Sequence, residues 1–418
     1  MKLLTCLTTL TLACNSAVAA ETPIAPIAPT ATTWQSWPLA DADQLDDFSD
    51  LAPLGQALAG VQVLGLGEQT HGAHEEFAYK LRLLRYLHEK LGFDLLLLES
   101  GFYDIGRISA AMARGESLDD LAPGNVFFMY AKSAEGRDLL RYVDQRQRAD
   151  RPLLLAGFDA QHSGALSGSE LLPGLQAALL SLGHKTLAEG ERWRRFSTLA
   201  APLLAMNRAL PSAPEQQAFF SHGQAIGAAL CGASSGAAVD TPAWWCRVVD
   251  SLLAQAHSFW SQDQDYQRDN AMGANAIWLV EQLAKGRKAV IWAHTVHLAR
   301  GFQRTPQHLQ AGEVMHRRWG PRYQVLQFTA AAGQILDFRS MQPLTLPPVP
   351  AGGLEQQLIP QAKGRPLLVH ASSAVNLPQF AYEYVERGTE SFQQPGQLGR
   401  NWDWLIFLPR VSPVTMVR

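Results

Sequence analysis

Residues 61–100 read VQVLGLGEQTHGAHEEFAYKLRLLRYLHEKLGFDLLLLES, and their pattern decides the fold. The apolar run Val61 to Leu66 and the run Asp94 to Leu98 have the length and composition of buried strands. Between them Phe77, Leu81, Leu84, Leu87 and Leu91 recur at helical spacing, and Gly92 closes the helix. This is a βαβ unit, which predicts a parallel sheet covered on both faces.

Working outward, similar runs occur at Pro152 to Ala156, Lys288 to Trp292, Tyr323 to Phe328 and Trp404 to Leu408. Helical periodicity separates them. The expected fold is α/β, with a mostly parallel central sheet flanked by helices. Residues 168–283 carry no convincing strand and read as a large all-helical insertion capping the C-terminal edge of the sheet. Its tryptophans Trp244, Trp245 and Trp260 are either core residues or the lining of an apolar cleft.

The N-terminus has Lys2, an apolar stretch and small residues at Ala17 to Ala20, the pattern of a signal peptide over residues 1–20. The expected location is therefore exported, periplasmic or secreted, and "LAC" at Leu12 to Cys14 also permits a lipid anchor on Cys14. A Pro/Ala/Thr tether follows over 21–44, expected to be disordered, and the catalytic domain is expected over 45–418. Of four cysteines, Cys231 and Cys246 lie beyond the leader. An oxidising compartment favours their pairing, although two buried thiols are an alternative. The chain of 418 residues is 47% hydrophobic and 17% charged, with a net charge of −3. That balance suits a globular domain and gives no electrostatic reason to expect a nucleic-acid partner. The apolar leader is too short for a membrane span.

Polar residues gather just after four of the strands. Glu68 and His71 follow the first, and Glu99 ends the second. Asp159, Gln161 and His162 follow the third, and His294, His297 and Arg300 follow the fourth. Ligands of open α/β sheets bind outside the carboxyl ends of the strands, so these stretches are expected to meet in one crevice. Each has a plainer reading. His71 and Glu75 could pair at a helix start, and histidines after a strand could be satisfied core residues.

The residue types suit hydrolysis of an ester or amide. A neutral histidine takes a proton from water, a neighbouring carboxylate fixes its tautomer, and Lys80 with a second histidine could steady an oxyanion. Two rival chemistries have weaker patterns. "GASSG", Gly232 to Gly236, formally matches a nucleophile elbow at Ser234 but lacks a preceding strand. A metal site from His71, Glu75 or Glu99, His294 and His297 has suitable ligand types but no recognised spacing, so no metal and no cofactor are expected.

At these residues the chain resembles the erythromycin esterase family. "GEQTHG", "EEFAYKLRLLRYLHEKLGF", "LLLLESGF", "GFDAQ" and "WAHTVHLARG" stand in that family's order, and "EVMHRRWGPRYQVLQFTAAAG" and "NWDWLIFLP" are similar too, covering about Leu45 to Pro409. The resemblance implies a metal-independent carboxylic ester hydrolase acting on a small-molecule ester or lactone, macrolactones included. On the matching positions His71 would be the general base, Glu68 and Glu99 its orienting carboxylates, and His294 and His297 further catalytic groups. Lys80 falls where the family often has a basic residue, while Asp159 and Gln161 would serve site architecture or substrate contact. Thr295 stands where the family often has Asn, and the stretch around Glu135 lacks the family's tryptophans; both departures bear on macrolide specificity more than on hydrolysis. The alternatives are a metal-dependent hydrolase on the same residues and an exported, non-catalytic binding protein for haem or a hydrophobic ligand.

Overall fold

The computed structural model describes residues 34–232, 236–261, 267–301, 303–305, 308–349, 351–371, 379–380 and 396–417. The leader, the first part of the tether, Cys14 and Ser234 lie outside them. Eight strands form the main sheet: β1 Trp34–Pro38, β2 Val63–Glu68, β3 Phe93–Gly101, β4 Leu154–Asp159, β5 Lys288–His294, β6 Tyr323–Ala330, β7 Leu367–Ala371 and β8 Trp404–Leu408. Helices of nine or more residues are numbered α1 His74–Leu91, α2 Phe102–Ala113, α3 Ala134–Gln147, α4 Ala165–Ser181, α5 Gly190–Leu204, α6 Ala213–Cys231, α7 Pro242–Trp260, α8 Gln267–Trp278, α9 Ala311–Trp319 and α10 Leu354–Ala362.

The strand order is β1-β7-β8-β6-β2-β5-β3-β4. From β8 to β4 every pairing is parallel, and only β7 runs against its neighbours. All six strands expected from the sequence are present, most of them extended by two or three residues at the C-terminal end. The tether ends earlier than expected, because Trp34–Pro38 lies inside residues 21–44 and pairs antiparallel with Leu367–Ala371. As an edge strand it tolerates Pro38, whose missing N–H a central strand would need.

Side chains alternate between two cores. Val63, Leu95, Leu97, Ala289 and Ile291 face one, whereas Leu64, Leu66, Leu96, Leu98, Val290 and Trp292 face the other. Both faces are covered, which is why these strands read as unbroken apolar runs. Helix α1 buries Phe77, Leu83, Leu84 and Leu87 on the second face and stops at Gly92, whose φ of 73° puts it in the left-handed region.

Between β4 and β5 the described residues from Ala165 to Leu283 hold helices and no strand, as the insertion reading required. The insertion does not simply lid the strand ends, however. Leu171, Leu175, Phe196, Phe219, Val249 and Leu252 extend the first core along one face of the sheet. Trp244, Trp245 and Trp260 are at most 6% exposed and belong to this core, the reading that their helical spacing favours, and among the described residues they line no cleft. Trp244 stacks on Phe102 with centroids 6.0 Å apart, and Trp260 meets Phe219 at 4.9 Å. Cys231 and Cys246 are joined, tying the end of α6 to the first turn of α7. Among the described residues no helix is long and apolar enough to cross a membrane.

Candidate active site

The register of the central strands assembles the site. Glu68 is the last residue of β2 and lies opposite His294, the last residue of β5. On the far side of β5 the pairing of β3 with β4 runs Leu98 to Gly157 and then Gly101 to Asp159, so Glu99 and Ser100 together oppose only Phe158. This bulge re-aims Glu99 at the carboxyl edge. It needs Gly157, since a Cβ there would meet the carbonyls of Ser100 and Gly101 at 2.6 Å. Four sequence-distant loops therefore meet where the chain order reverses around β2, as expected.

His71 sits in the loop between β2 and α1 and is 6% exposed. Its Nδ1 lies 3.1 Å from Glu68 Oε1. The Tyr130 hydroxyl donates to the same oxygen at 3.3 Å, while Lys80 Nζ, fully buried on α1, makes an ion pair with the other. Lys80 also stands 4.4 Å from the centroid of the Trp292 ring. Burial drives its ammonium well below the usual range, offset in part by the charge of Glu99. Lys80 thus supports Glu68 from behind, which corrects the expectation that it steadies an oxyanion or touches substrate. The His71 ring packs against Phe127, Phe338 and His294 at centroid distances of 4.8, 5.1 and 5.2 Å.

Backbone bonds hold the His71 loop from several sides. The Gln69 N–H donates to Glu76 at 2.8 Å, and Gln69 O accepts from His294 Nε2 at 2.9 Å. Burial pushes the Glu76 carboxyl up to about 8, against the pull of backbone N–H groups from Gln69 and Thr70. Gly72 lies flat against Leu336, whose carbonyl any side chain there would strike. Its carbonyl accepts from the N–H groups of Leu336 and Val414. Glu75 does not pair with His71 but takes both Ser412 N–H and hydroxyl, and Glu135 holds His74 and Thr415. A cavity of about 470 Å³ beside this helix start is lined by His74, Glu75, Glu135 and Arg410 and does not contain Glu68, His71 or Glu99.

The remaining histidines differ from each other. His294 accepts from the Val296 N–H at Nδ1 and donates from Nε2 to Gln69 O, so it is a neutral ring with a fixed tautomer. Burial, with the nearby charge of His71, holds its pKa well below the usual value. His297 is the opposite case: Nδ1 meets Asp269 at 2.5 Å and Nε2 meets Glu99 Oε1 at 3.3 Å. Burial would lower its pKa, but the two carboxylates raise it to about 9. Glu99 also accepts the His294 N–H at 2.6 Å. Although burial alone would raise Glu99, the charges of His297, His71 and Arg268 carry it well below the usual carboxylate range. Asp159 is gripped by Arg268 through bonds of 2.9 and 2.6 Å and accepts the Gln161 N–H at 2.9 Å. His162 and Arg300 stand apart, bonded to the Val248 carbonyl and to Asp403.

The sequence reading missed Tyr130, Arg268, Asp269, Phe127, Phe338 and Glu76. All but Phe338, which follows the short strand Gln334–Asp337, lie on or beside a helix whose pattern looks solvated or apolar, and nothing local ties them to the ends of the central strands. Ligating atoms of Glu68, His71 and Glu99 fall within 4.8 Å of one another, close enough to share a water molecule or, by donor type, a metal ion.

Fold and site together define an α/β protein with a carboxylate-held imidazole at the carboxyl edge of its sheet. The chain belongs to the erythromycin esterase family, whose model matches residues 88–411, and this places it among esterase-like hydrolases. The match starts after Glu68 and His71, so their assignment stands on geometry. The Bacillus subtilis (strain 168) protein described as "Putative hydrolase YbfO" is 23% identical over 88% of each chain. An Escherichia coli "Erythromycin esterase type II" is 35% identical over 28% of each. The fold is shared with a Bacillus cereus protein of known structure, at a TM-score of 0.73, 20% identity and coverage of 92% and 97%. It is also shared with a mutant of the erythromycin esterase EreC in its open conformation, at 0.67, 17%, 91% and 98%.

Proposed function

We propose that the protein hydrolyses a carboxylic ester or lactone, with His71 as general base. The observation that carries this reading is the buried line Lys80, Glu68, His71. A proton on Nδ1 shared with Glu68 leaves Nε2 as the ring's proton acceptor, and the carboxylate supports the imidazolium that forms. A water between His71 and Glu99 gives its proton to His71 as its oxygen attacks the ester carbonyl. The proton then passes to the departing alkoxide, releasing acid and alcohol. The cationic ring of His297 and the guanidinium of Arg268 lie beside Glu99, where they offset charge developing on the carbonyl oxygen. His294 acts by clamping the His71 loop to β5.

The substrate class follows from family membership and from the names of the relatives, which make macrolactones the first candidates. The half-buried Phe127 and Phe338 beside the base suit an apolar body. Export to a periplasmic or extracellular compartment is part of the proposal, supported by the leader pattern and the Cys231–Cys246 bridge.

A metal-dependent reaction on Glu68, His71 and Glu99 is the second reading, favoured by their spacing. The cationic ring of His297, already set against Glu99, opposes an added positive ion. Ring nitrogens of His294 and His297 engaged by Gln69, Val296, Asp269 and Glu99 weigh against haem ligation.

The test is turnover of a panel of macrolactones, simple esters and acylated glycans, read by product mass, with His71→Ala and Glu99→Gln alongside. Each variant is expected to lose on the order of 10²-fold or more in kcat with stability nearly intact. Wild-type turnover by either overturns the role assignments, and loss in chelator with recovery in added zinc selects the metal reading.

A further inference from the structure

Helix α8 closes the insertion, and its first turn brings two charges to the strand ends. Arg268 binds both oxygens of Asp159 and comes within 3.9 Å of Glu99 Oε1. Asp269, 5% exposed at its side chain, reaches across the crevice to His297. An acid in the first turn of a helix ordinarily serves its own helix's N–H groups. Asp269 makes a short, charge-assisted bond to a ring carried beyond β5. A continuous line results: Asp269, the His297 ring, Glu99, and then His71, whose ligating atom lies within 4.8 Å of Glu99.

Glu99 has competing partners. His297 contacts Oε1 at 3.3 Å, the His294 N–H holds Oε2, and Arg268 stands 3.9 Å from the same Oε1. We propose that Asp269 is a positioning residue for the hydrolysis, supplied by the insertion: it holds His297 across Glu99, and so keeps the carboxylate aimed at the water that His71 activates. Without that anchor the His297 ring turns and Glu99 relaxes onto Arg268, away from His71. The charged and titratable groups around His297 are Asp269 from α8, Glu99 from β3, His294 at the end of β5, and Arg268 behind Glu99. The insertion is then part of the reacting assembly as well as the cover of one sheet face. This inference rests on the hydrolase reading.

Asp269→Asn in the full chain separates positioning from packing, because the amide keeps shape and one acceptor oxygen but loses the charge. With an ester that the wild type cleaves, kcat is expected to fall about 10- to 100-fold, the loss of one charge-assisted bond, while KM stays within about threefold. Asp269→Glu is expected to recover part of the rate. Side-chain 15N spectra near pH 8 are expected to show the His297 ring as imidazolium in the wild type and as a neutral tautomer in Asp269→Asn. Unchanged kcat in Asp269→Asn overturns the inference and leaves the hydrolase reading standing. A rate loss that tracks a falling Tm, with the His297 signal unmoved, makes Asp269 structural and also overturns it. A wild-type chain that cleaves no ester in the panel removes the hydrolase reading and this inference together.

Discussion

Replacing Lys80 with Met tests the support behind the base most directly. Lys80 and Glu68 are both fully buried, and the amine also lies over Trp292. Lys80→Met keeps most of the side-chain volume but leaves the Glu68 carboxylate without the amine that pairs with it in a fully buried position. Removing one member of a buried pair costs about 3–5 kcal/mol, because the survivor's desolvation is no longer compensated. Glu68→Gln should cost less, since burial already drives Lys80 towards its neutral form. Once the carboxylate is gone, Lys80→Met has little left to break, so the double variant should be more stable than the sum of the single losses predicts. The expected coupling lies near the upper end of about 0.5–3 kcal/mol for contacting residues. Urea unfolding followed by tryptophan emission measures all four proteins. Additivity within about 0.5 kcal/mol would falsify the claim that Glu68 depends on Lys80. Both single variants should also lose turnover: Glu68→Gln removes the carboxylate that holds His71 Nδ1, and Lys80→Met removes the contact that fixes that carboxylate in place.

Two further outcomes follow from buried groups. The Glu76 carboxyl, raised to about 8 in the folded chain from an ordinary 4.5, stabilises fully below pH 4.5, and that contribution is lost as pH rises towards 8. Relative to Glu76→Gln, the wild type should therefore lose stability across that window, on the order of 5 kcal/mol in all, and a flat difference between the two curves refutes it. Replacing Cys231 and Cys246 together by Ser opens a link with a sequence separation of 15 and should cost about 3 kcal/mol, with ester turnover retained at 25 °C; lost turnover in a folded variant would tie the bridge to the site.

The sheet was legible because its central strands are covered on both sides, which leaves continuous apolar runs with a charge where the cover ends. Glu68, Glu99 and Asp159 stand at such ends, and a carboxylate closing a run like "DLLLL" has few uses other than a site. The edge strand Trp34–Pro38 was hidden by its composition: two adjacent polar residues, Gln35 and Ser36, break its apolar run and a proline ends it, features an edge permits. Roles were harder to read than places. Lys80 looks like any helix-surface lysine, and only packing shows it buried under Glu68. His294 and His297 are equivalent in the sequence, yet one is fixed neutral by backbone groups and the other charged by two acids. Arg268 and Asp269 open a helix in a pattern indistinguishable from a solvated start, and tertiary contact alone brings them to the strand ends.

The loop carrying His71 owes its shape to partners far along the chain: Gly72 is stitched to Leu336 and to Val414, and His74 to Ser412. Contacts of such long range form late, after the chain has met the entropy of closing large loops. The central strand pairings close comparable spans of chain, so a molecule emerging from denaturant regains its helices first and its sheet and reactive loop afterwards, and recovered helical signal precedes recovered chemistry.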